Sequence, residues 1–375
     1  MNYTVLRVWG IPIRVNISLV VFLPILAWLI GSGEQLAVYA TVIEAMTPAT
    51  VDPAALAETD RWLVGALTAV GLFVSVTLHE LGHSWMAMRY DIEVQSITLW
   101  VLGGLASLAE MPREWNREFW IAIAGPATSI AVGAVCIGAL YVIPESATLL
   151  VFVVGFVAVM NIILAVFNML PAFPMDGGRI FRALLARNRS YVSATQIASR
   201  AGVGFAIVFV FLGIVVAFSP ILLLLALFIY IAATTESKAV LIGELLGGLT
   251  VEDILSDAQP VSTDATVREA FDQLLRSRRS NVAVVDEQGA VVGVLTSSAL
   301  RNLPMSEYQH TAVGEVMTTD LPRVDGTIPA FDAFYDMRTD RSEIVLVERE
   351  GRLVGSVSRS DFAEVLAIRG ETVAV

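Results

Sequence analysis

Charge is scarce in this sequence: of 375 residues, 16% are Asp, Glu, Lys or Arg, against 56% hydrophobic. Soluble globular domains carry roughly 25% charged residues, so a wholly soluble chain is excluded. Lysine is scarcer still. Lys238 stands alone beside 23 arginines, and the formal net charge is −12. Without a basic patch to neutralise phosphates, nucleic acid is not expected as a partner. Cysteine occurs once, at Cys136, which excludes a disulfide framework and a cysteine metal cluster. Histidine occurs three times, at His79, His83 and His310, and two of these fall in one short stretch.

What is present is a series of long apolar runs. A helix needs about 20 predominantly apolar residues to cross the hydrocarbon core. Six candidate spans follow: Ile17–Ile30 with its flanks, Trp62–Met88, Phe119–Ile143, Thr148–Leu170, Ala201–Phe218 and Ile221–Thr234. The stretch "LAVYATVIEAM" at 36–46 is too short to span and reads as an interfacial or re-entrant piece. Arginines orient the set. Arg7 and Arg14 precede the first span, whereas residues 32–60 hold no Lys or Arg and five acids. Arg89, Arg113 and Arg117 follow the second span, Arg179, Arg182, Arg187, Arg189 and Arg200 the fourth, and Lys238 the sixth. By the positive-inside rule both termini are expected in the cytoplasm of a multi-pass cell-membrane protein.

From Leu249 the texture changes to short strands and amphipathic helices. "VEDILSD" at 251–257 recurs as "VGEVMTT" at 313–319, and "VVGVLTSSAL" at 291–300 recurs as "LVGSVSRSDF" at 353–362. Both pairs are offset by 62 residues. Two copies are too few for a solenoid, so a pseudo-symmetric packed pair is expected, in a soluble α/β module.

The second span carries "SVTLHELGHSWM", residues 75–86. In H-E-x-x-H on a helix the histidines lie one turn apart on one face, so their imidazoles can converge on one metal ion. Zinc suits two imidazole nitrogens and an open coordination position. Glu80, directly after the first histidine, can take a proton from a water whose pKa the metal has lowered. The alternative is a pair of polar residues satisfied by backbone or interfacial water. Ionisable groups inside a span are costly and usually functional, which favours the metal. His310, in the soluble half, is in the wrong compartment for a third ligand. The best candidate lies in "NMLPAFPMDGGRI" at 168–180, after the fourth span and on the same side as His83. Pro171 and Pro174 end the helix, Gly177 and Gly178 permit a tight turn, and Asp176 is expected on a fixed, non-helical segment. Asn168, eight residues earlier, can donate to a substrate carbonyl in the transition state, while Asn161 reads as glue between helices.

Between the second and third spans, "VQSITLWVLGGLASLAEM" at 94–111 is rich in β-branched and aromatic residues around a Gly-Gly break. It reads as a hairpin, either a simple connector or a strand edge able to pair with an unwound substrate.

These residues together resemble the site-2 proteases, intramembrane zinc metalloproteases that cut transmembrane helices. The resemblance rests on "HELGH", on "GGLA" at 103–106, on "AGP" at 124–126 and on "NMLPAFPMDGG" at 168–178, with Met175 where the family usually has leucine. It implies zinc on His79, His83 and Asp176, Glu80 as general base, Asn168 assisting the substrate carbonyl, and a transmembrane protein as substrate in regulated intramembrane proteolysis. The C-terminal repeat looks like a tandem pair of CBS domains, which implies adenine nucleotide as a regulator and a homodimer through the pair. Of the family's ribose-contacting pattern the second copy keeps Ser358 and Asp361, whereas the first has Thr296 but Ala299 in place of the aspartate. The expected architecture is a polytopic α-helical membrane protein, about six transmembrane helices with a short membrane-associated β-hairpin, plus a soluble α/β CBS pair. Its expected boundaries are 1–240 for the metalloprotease domain (core 61–187), 241–248 for a linker, and 249–304 and 305–375 for the repeats. Two rivals are a CBS-regulated channel or transporter and a catalytically dead membrane-binding protein. The first needs intramembrane charges lining a path, but the one cluster here has metal-ligand spacing. Intact Glu80 counts against the second.

Overall fold

The structure is a computed structural model describing residues 2–101, 103–108, 112–216, 218–255, 259–277, 281–339 and 342–373. Parts of the expected hairpin (102, 109–111), of the fifth span (217), of the repeat motif (256–257) and of the second repeat (340–341, 374–375) lie outside the described residues. The chain divides into two units, Met1–Ser237 and Lys238–Val375.

The first unit opens with β1 (Asn2–Val8) and β2 (Ile11–Asn16), an antiparallel hairpin. Its two-residue turn places Trp9 and Gly10 at φ +52° and +85°, the left-handed conformation that tight hairpins require. Asn16 then caps α1 (Ile17–Gly31), its Oδ1 accepting from the Ser18 N–H at 2.9 Å. α2 (Gly33–Met46) follows at a bend of 77°. The expected first span and the expected interfacial or re-entrant piece are thus the two arms of one bent pair, a broken span or a re-entrant loop. After α3 (Glu58–Arg89), β3 (Val94–Trp100) and β4 (Gly103–Leu108) form the anticipated hairpin. β3 also pairs in parallel with β2, giving a four-stranded sheet in the order β1-β2-β3-β4. Ile13, Ile97 and Leu99 of this sheet pack in one cluster with Phe73 and Ala87 of α3. The sheet is thereby seated on the helix that carries the H-E-x-x-H motif.

α4 (Trp115–Leu140), α5 (Thr148–Asn168), α6 (Asp176–Ala186), α7 (Tyr191–Phe211) and α8 (Pro220–Leu245) complete the unit and lead out of it. A π-helical turn, Leu212–Val216, extends α7. Among the described residues five helices are long and apolar enough to span a bilayer, or six if α1 and α2 count as one bent span. Small residues bring them close. A Cβ on Gly65 would strike the carbonyl of Ala27, and one on Gly31 would lie 2.8 Å from that of Arg61, so α1 and α3 meet backbone to backbone. Asn161 of α5 donates to Ser75 Oγ of α3 at 2.8 Å, the interhelical glue its sequence position foretold.

In the second unit β5 (Val261–Ser262), α9 (Val267–Ser277), β6 (Asn281–Val285), β7 (Val291–Thr296) and α10 (Ser297–Arg301) form the first copy. After α11 (Val313–Val316), the second copy is β8 (Arg323–Asp325), α12 (Ala330–Thr339), β9 (Ile344–Arg349), β10 (Arg352–Ser358) and α13 (Arg359–Val373). Each three-stranded sheet joins one parallel and one antiparallel pair in the same order, which is the repeat in three dimensions. Val294 of one copy and Ile344 and Leu346 of the other share a cluster, and Ser356 Oγ donates to Asn281 Oδ1 at 3.2 Å. Residues 241–248, expected as a linker, are helical to Leu245, and Leu246 is buried among Val345, Val357 and Phe362 of the second copy.

Candidate metal centre

His79 and His83 face one way from α3, and both are buried. Their Nε2 atoms lie 3.2 Å apart, and each lies 3.1 Å from Oδ2 of Asp176. Among the described residues this is the one group of three side chains placed to share a metal ion. Asp176 differs from expectation in one respect: it is the first residue of α6, not part of a non-helical segment. The two glycines after it are helical as well. A Cβ on Gly178 would lie 2.6 Å from the Ala172 carbonyl carbon, and one on Gly177 would strike the backbone of Met169 and Leu170. Their role is to let the 169–175 loop fold onto the start of α6, holding the carboxylate where it is.

α4 supplies what orients the ligands. His83 Nδ1 lies 2.7 Å from the carbonyl oxygen of Ile121. A carbonyl only accepts, so Nδ1 carries the proton and Nε2 of the neutral ring presents a lone pair. His79 Nδ1 lies 2.9 Å from Ser129 Oγ, and the same tautomer leaves its Nε2 a lone pair too. With both rings neutral and in that tautomer, three electron-pair donors converge, an arrangement that a cation satisfies. Two imidazoles and one carboxylate, with outer partners on both rings, match a catalytic zinc site with a coordination position to spare. Gly125 of the "AGP" stretch faces the same point: a Cβ there would strike His83 Nε2 and come within 2.8 Å of His79 Nε2.

Glu80 is half-buried beside the sheet. A Cβ on Gly104 of β4 would lie 2.5 Å from its Cγ and 3.1 Å from its Oε1, so the "GGLA" strand runs directly over this carboxylate. Asn168 ends α5, half-buried, and stands outside the converging trio. Sequence reasoning did not assign Ser129 or the Ile121 carbonyl. Ile121 and Ser129 are eight residues apart, so they fall on a common face of α4, but a serine in an apolar helix carries no mark of its partner.

In the second unit Ser358 N–H and Oγ both bond to Asp361 Oδ2, at 2.8 and 2.6 Å. This pair caps the start of α13, with Asp361 three residues beyond the capping serine. In the first copy Thr296 Oγ1 accepts from Ala299 N–H at 3.1 Å instead. Thr296–Ser298 and Ser358–Ser360 hydroxyl pairs, at 2.8 and 2.7 Å, repeat each other across the two copies. Between them lies a cavity of about 230 Å³, lined by Thr296, Ser298, Glu343, Ser358 and Arg359 among others.

The family model for Peptidase family M50 matches residues 67–149 and 142–211, and that for the CBS domain matches 251–306 and 313–368. The chain is 29% identical to a zinc metalloprotease of Methanocaldococcus jannaschii over 375 residues, 98% of this chain and 97% of that protein. It is 33% identical over 325 residues to Rip3 of Mycobacterium tuberculosis, provisionally named a zinc metalloprotease, covering 83% of this chain and 78% of that one. A solved site-2 protease from Methanocaldococcus jannaschii aligns at 31% identity over 63% of this chain and 95% of its own, with a TM-score of 0.44. Membrane-length apolar helices around a buried His–His–Asp cluster define a class, a metalloprotease working within the bilayer. The chain belongs to peptidase family M50, the site-2 proteases, with a tandem CBS pair in its second unit.

Proposed function

We propose that His79, His83 and Asp176 hold one zinc ion and that Glu80 is the general base for hydrolysis of a peptide bond in a substrate's transmembrane helix. The carrying observation is the meeting of three ligand atoms at 3.1–3.2 Å, with both rings oriented by α4. Bound there, zinc supplies Lewis acidity toward water and toward the scissile carbonyl. Glu80 takes the proton from the attacking water and hands it to the leaving amide nitrogen, so one carboxylate serves as base and then acid. Asn168 donates to the carbonyl oxygen as charge develops on it. A helical substrate shields its own carbonyls, so it must first extend, and β4 offers an edge along which an extended segment can pair. Small or helix-breaking residues in the substrate ease that opening.

The finer reading places both termini and the CBS pair in the cytoplasm, in line with the arginine distribution. The pair binds adenine nucleotide in the cavity near Ser358 and Asp361, forms a homodimer and adjusts cleavage, making the enzyme a device for regulated proteolysis. Full-length protein and Glu80→Gln, compared for zinc content and for cleavage of a model transmembrane substrate, test the core of this. Glu80→Gln keeps its zinc and loses at least about 100-fold in rate; undiminished cleavage removes Glu80 from the mechanism. Calorimetry of the full chain with AMP, ADP and ATP tests the regulator, and absence of binding heat for all three refutes it.

A further inference from the structure

Arg182 lies on α6, six residues after Asp176, and its side chain is fully buried (0% exposed). By sequence it belongs with Arg179 and Arg187 as one more basic residue of a cytoplasmic loop; the structure gives it a different place. Its Nε donates to Glu118 Oε1 at 2.7 Å, Nη2 lies 2.5 Å from the same oxygen, and Nη1 donates to Glu236 Oε1 at 2.6 Å. Two rings also lie against the guanidinium, with the centroids of Phe173 at 4.9 Å and Tyr191 at 4.8 Å from its carbon.

The partners are placed with respect to the metal centre. Glu118 is three residues before Ile121 on α4, the residue whose carbonyl orients His83. Phe173 is in the loop that delivers Asp176, and α6 begins at Asp176 itself. One guanidinium thus ties the helix bearing the third ligand, and the loop before it, to the helix that orients the other ligands. A buried ion pair commonly stabilises a fold no better than an apolar pair of similar volume. What an apolar contact lacks is direction, because a planar guanidinium held between a carboxylate of α4 and one of α8 sets register as well as distance. Zinc ligation tolerates only about ±0.2 Å in ligand distance, and six residues of helix, about 9 Å, carry a shift at Arg182 to Asp176 nearly undamped.

We propose that Arg182 is a positioning residue of the metal centre, locking α6 to α4 through Glu118 so that Asp176 Oδ2 meets the histidine nitrogens. This rests on the reading of Asp176 as a zinc ligand. The test uses the full chain in lipid nanodiscs and compares wild type, Asp176→Ala, Arg182→Lys and the double variant Glu118→Met/Arg182→Met. The double variant leaves no orphaned charge on α4 or α6, and Glu236 of α8, which also loses its partner, is partly exposed (35%). Zinc affinity is read by competition with a chelator, the site's geometry by the visible spectrum of the cobalt-loaded protein, and turnover by kcat and KM. The double variant is expected to bind zinc at least about tenfold more weakly, to show altered cobalt bands, and to lose kcat with KM unchanged. A folded double variant with wild-type zinc affinity and cobalt spectrum overturns the proposal. If that variant does not fold, Arg182→Lys, which keeps the charge but loses the fork, decides by the same two readouts. Asp176→Ala separates the two levels: unchanged zinc binding sinks the ligand reading, whereas zinc lost there but retained in the Arg182 variants sinks only the clamp.

Discussion

Replacing Gly125 by alanine tests the metal centre with one methyl group. On α4 the new Cβ would strike His83 Nε2 and lie 2.8 Å from His79 Nε2. An ordinary contact is about 3.4 Å or more, so the His79 ring alone must retreat by roughly 0.6 Å. A side-chain tip usually yields cheaply, but these two are tied to α4 itself, at 2.7 Å by the Ile121 carbonyl and at 2.9 Å by Ser129 Oγ. Retreat therefore breaks an orienting hydrogen bond and carries the ligand atom beyond the roughly 0.2 Å tolerance of zinc ligation. Zinc affinity should fall at least about 100-fold, close to 2.8 kcal/mol. Stability should move much less, because alanine is about 1 kcal/mol better than glycine in a helix, against an overpacking penalty of about 1–3 kcal/mol. Gly138 of the same helix is the control, since a Cβ there meets nothing within 4 Å. Zinc analysis and thermal melting of Gly125→Ala and Gly138→Ala should separate cleanly, with only the first losing metal. Full zinc occupancy and wild-type affinity in Gly125→Ala would refute the reasoning about the centre.

Gly104→Ala should press on Glu80 from β4, displacing Cγ by roughly 0.9 Å and lowering kcat by about 10- to 100-fold while zinc content holds; a loss of zinc would mean the strand supports the ligands instead. Ser129→Ala removes the partner of His79 Nδ1 and should weaken zinc about tenfold in a chelator competition, and unchanged affinity would make that hydrogen bond incidental. Asp361→Ala should uncap α13 at a cost of about 1 kcal/mol, seen as roughly fivefold faster hydrogen exchange in its first turn, and unaltered exchange would show that Ser358 alone suffices.

The H-E-x-x-H spacing was legible because helical geometry alone puts His79 and His83 on one face. The 62-residue offset was legible because both copies bury the same pattern of apolar residues. The β1–β2 hairpin was not. Its turn uses Trp9 where Asn or Gly is usual, and Pro12 lowers the strand signal of β2. Pro12 is tolerated because the pairing of β2 with β3 begins only at Ile13. The helical start at Asp176 was hidden as well, since two successive glycines ordinarily mark a turn, and only the close approach of the 169–175 loop reveals why Cβ atoms are forbidden there. Arg182 misled the charge count for a different reason. Nothing local distinguishes an arginine facing water from one enclosed by two carboxylates that are 64 and 54 residues away in sequence.

The way α8 enters the second unit has a practical corollary. Leu246 sits in the core of the second repeat, and Arg369 Nη1 on α13 donates to the carbonyls of Leu245 and Gly247 at 3.0 and 3.2 Å. A cut placed at Leu249, where the sequence repeat begins, would carry off a buried leucine and the acceptors of Arg369. The excised fragment would start life with a hole in its interior worth about 2–5 kcal/mol. Its failure to behave would then say nothing about the repeat itself. Scissors belong further upstream, near the Ser237–Lys238 boundary between the units.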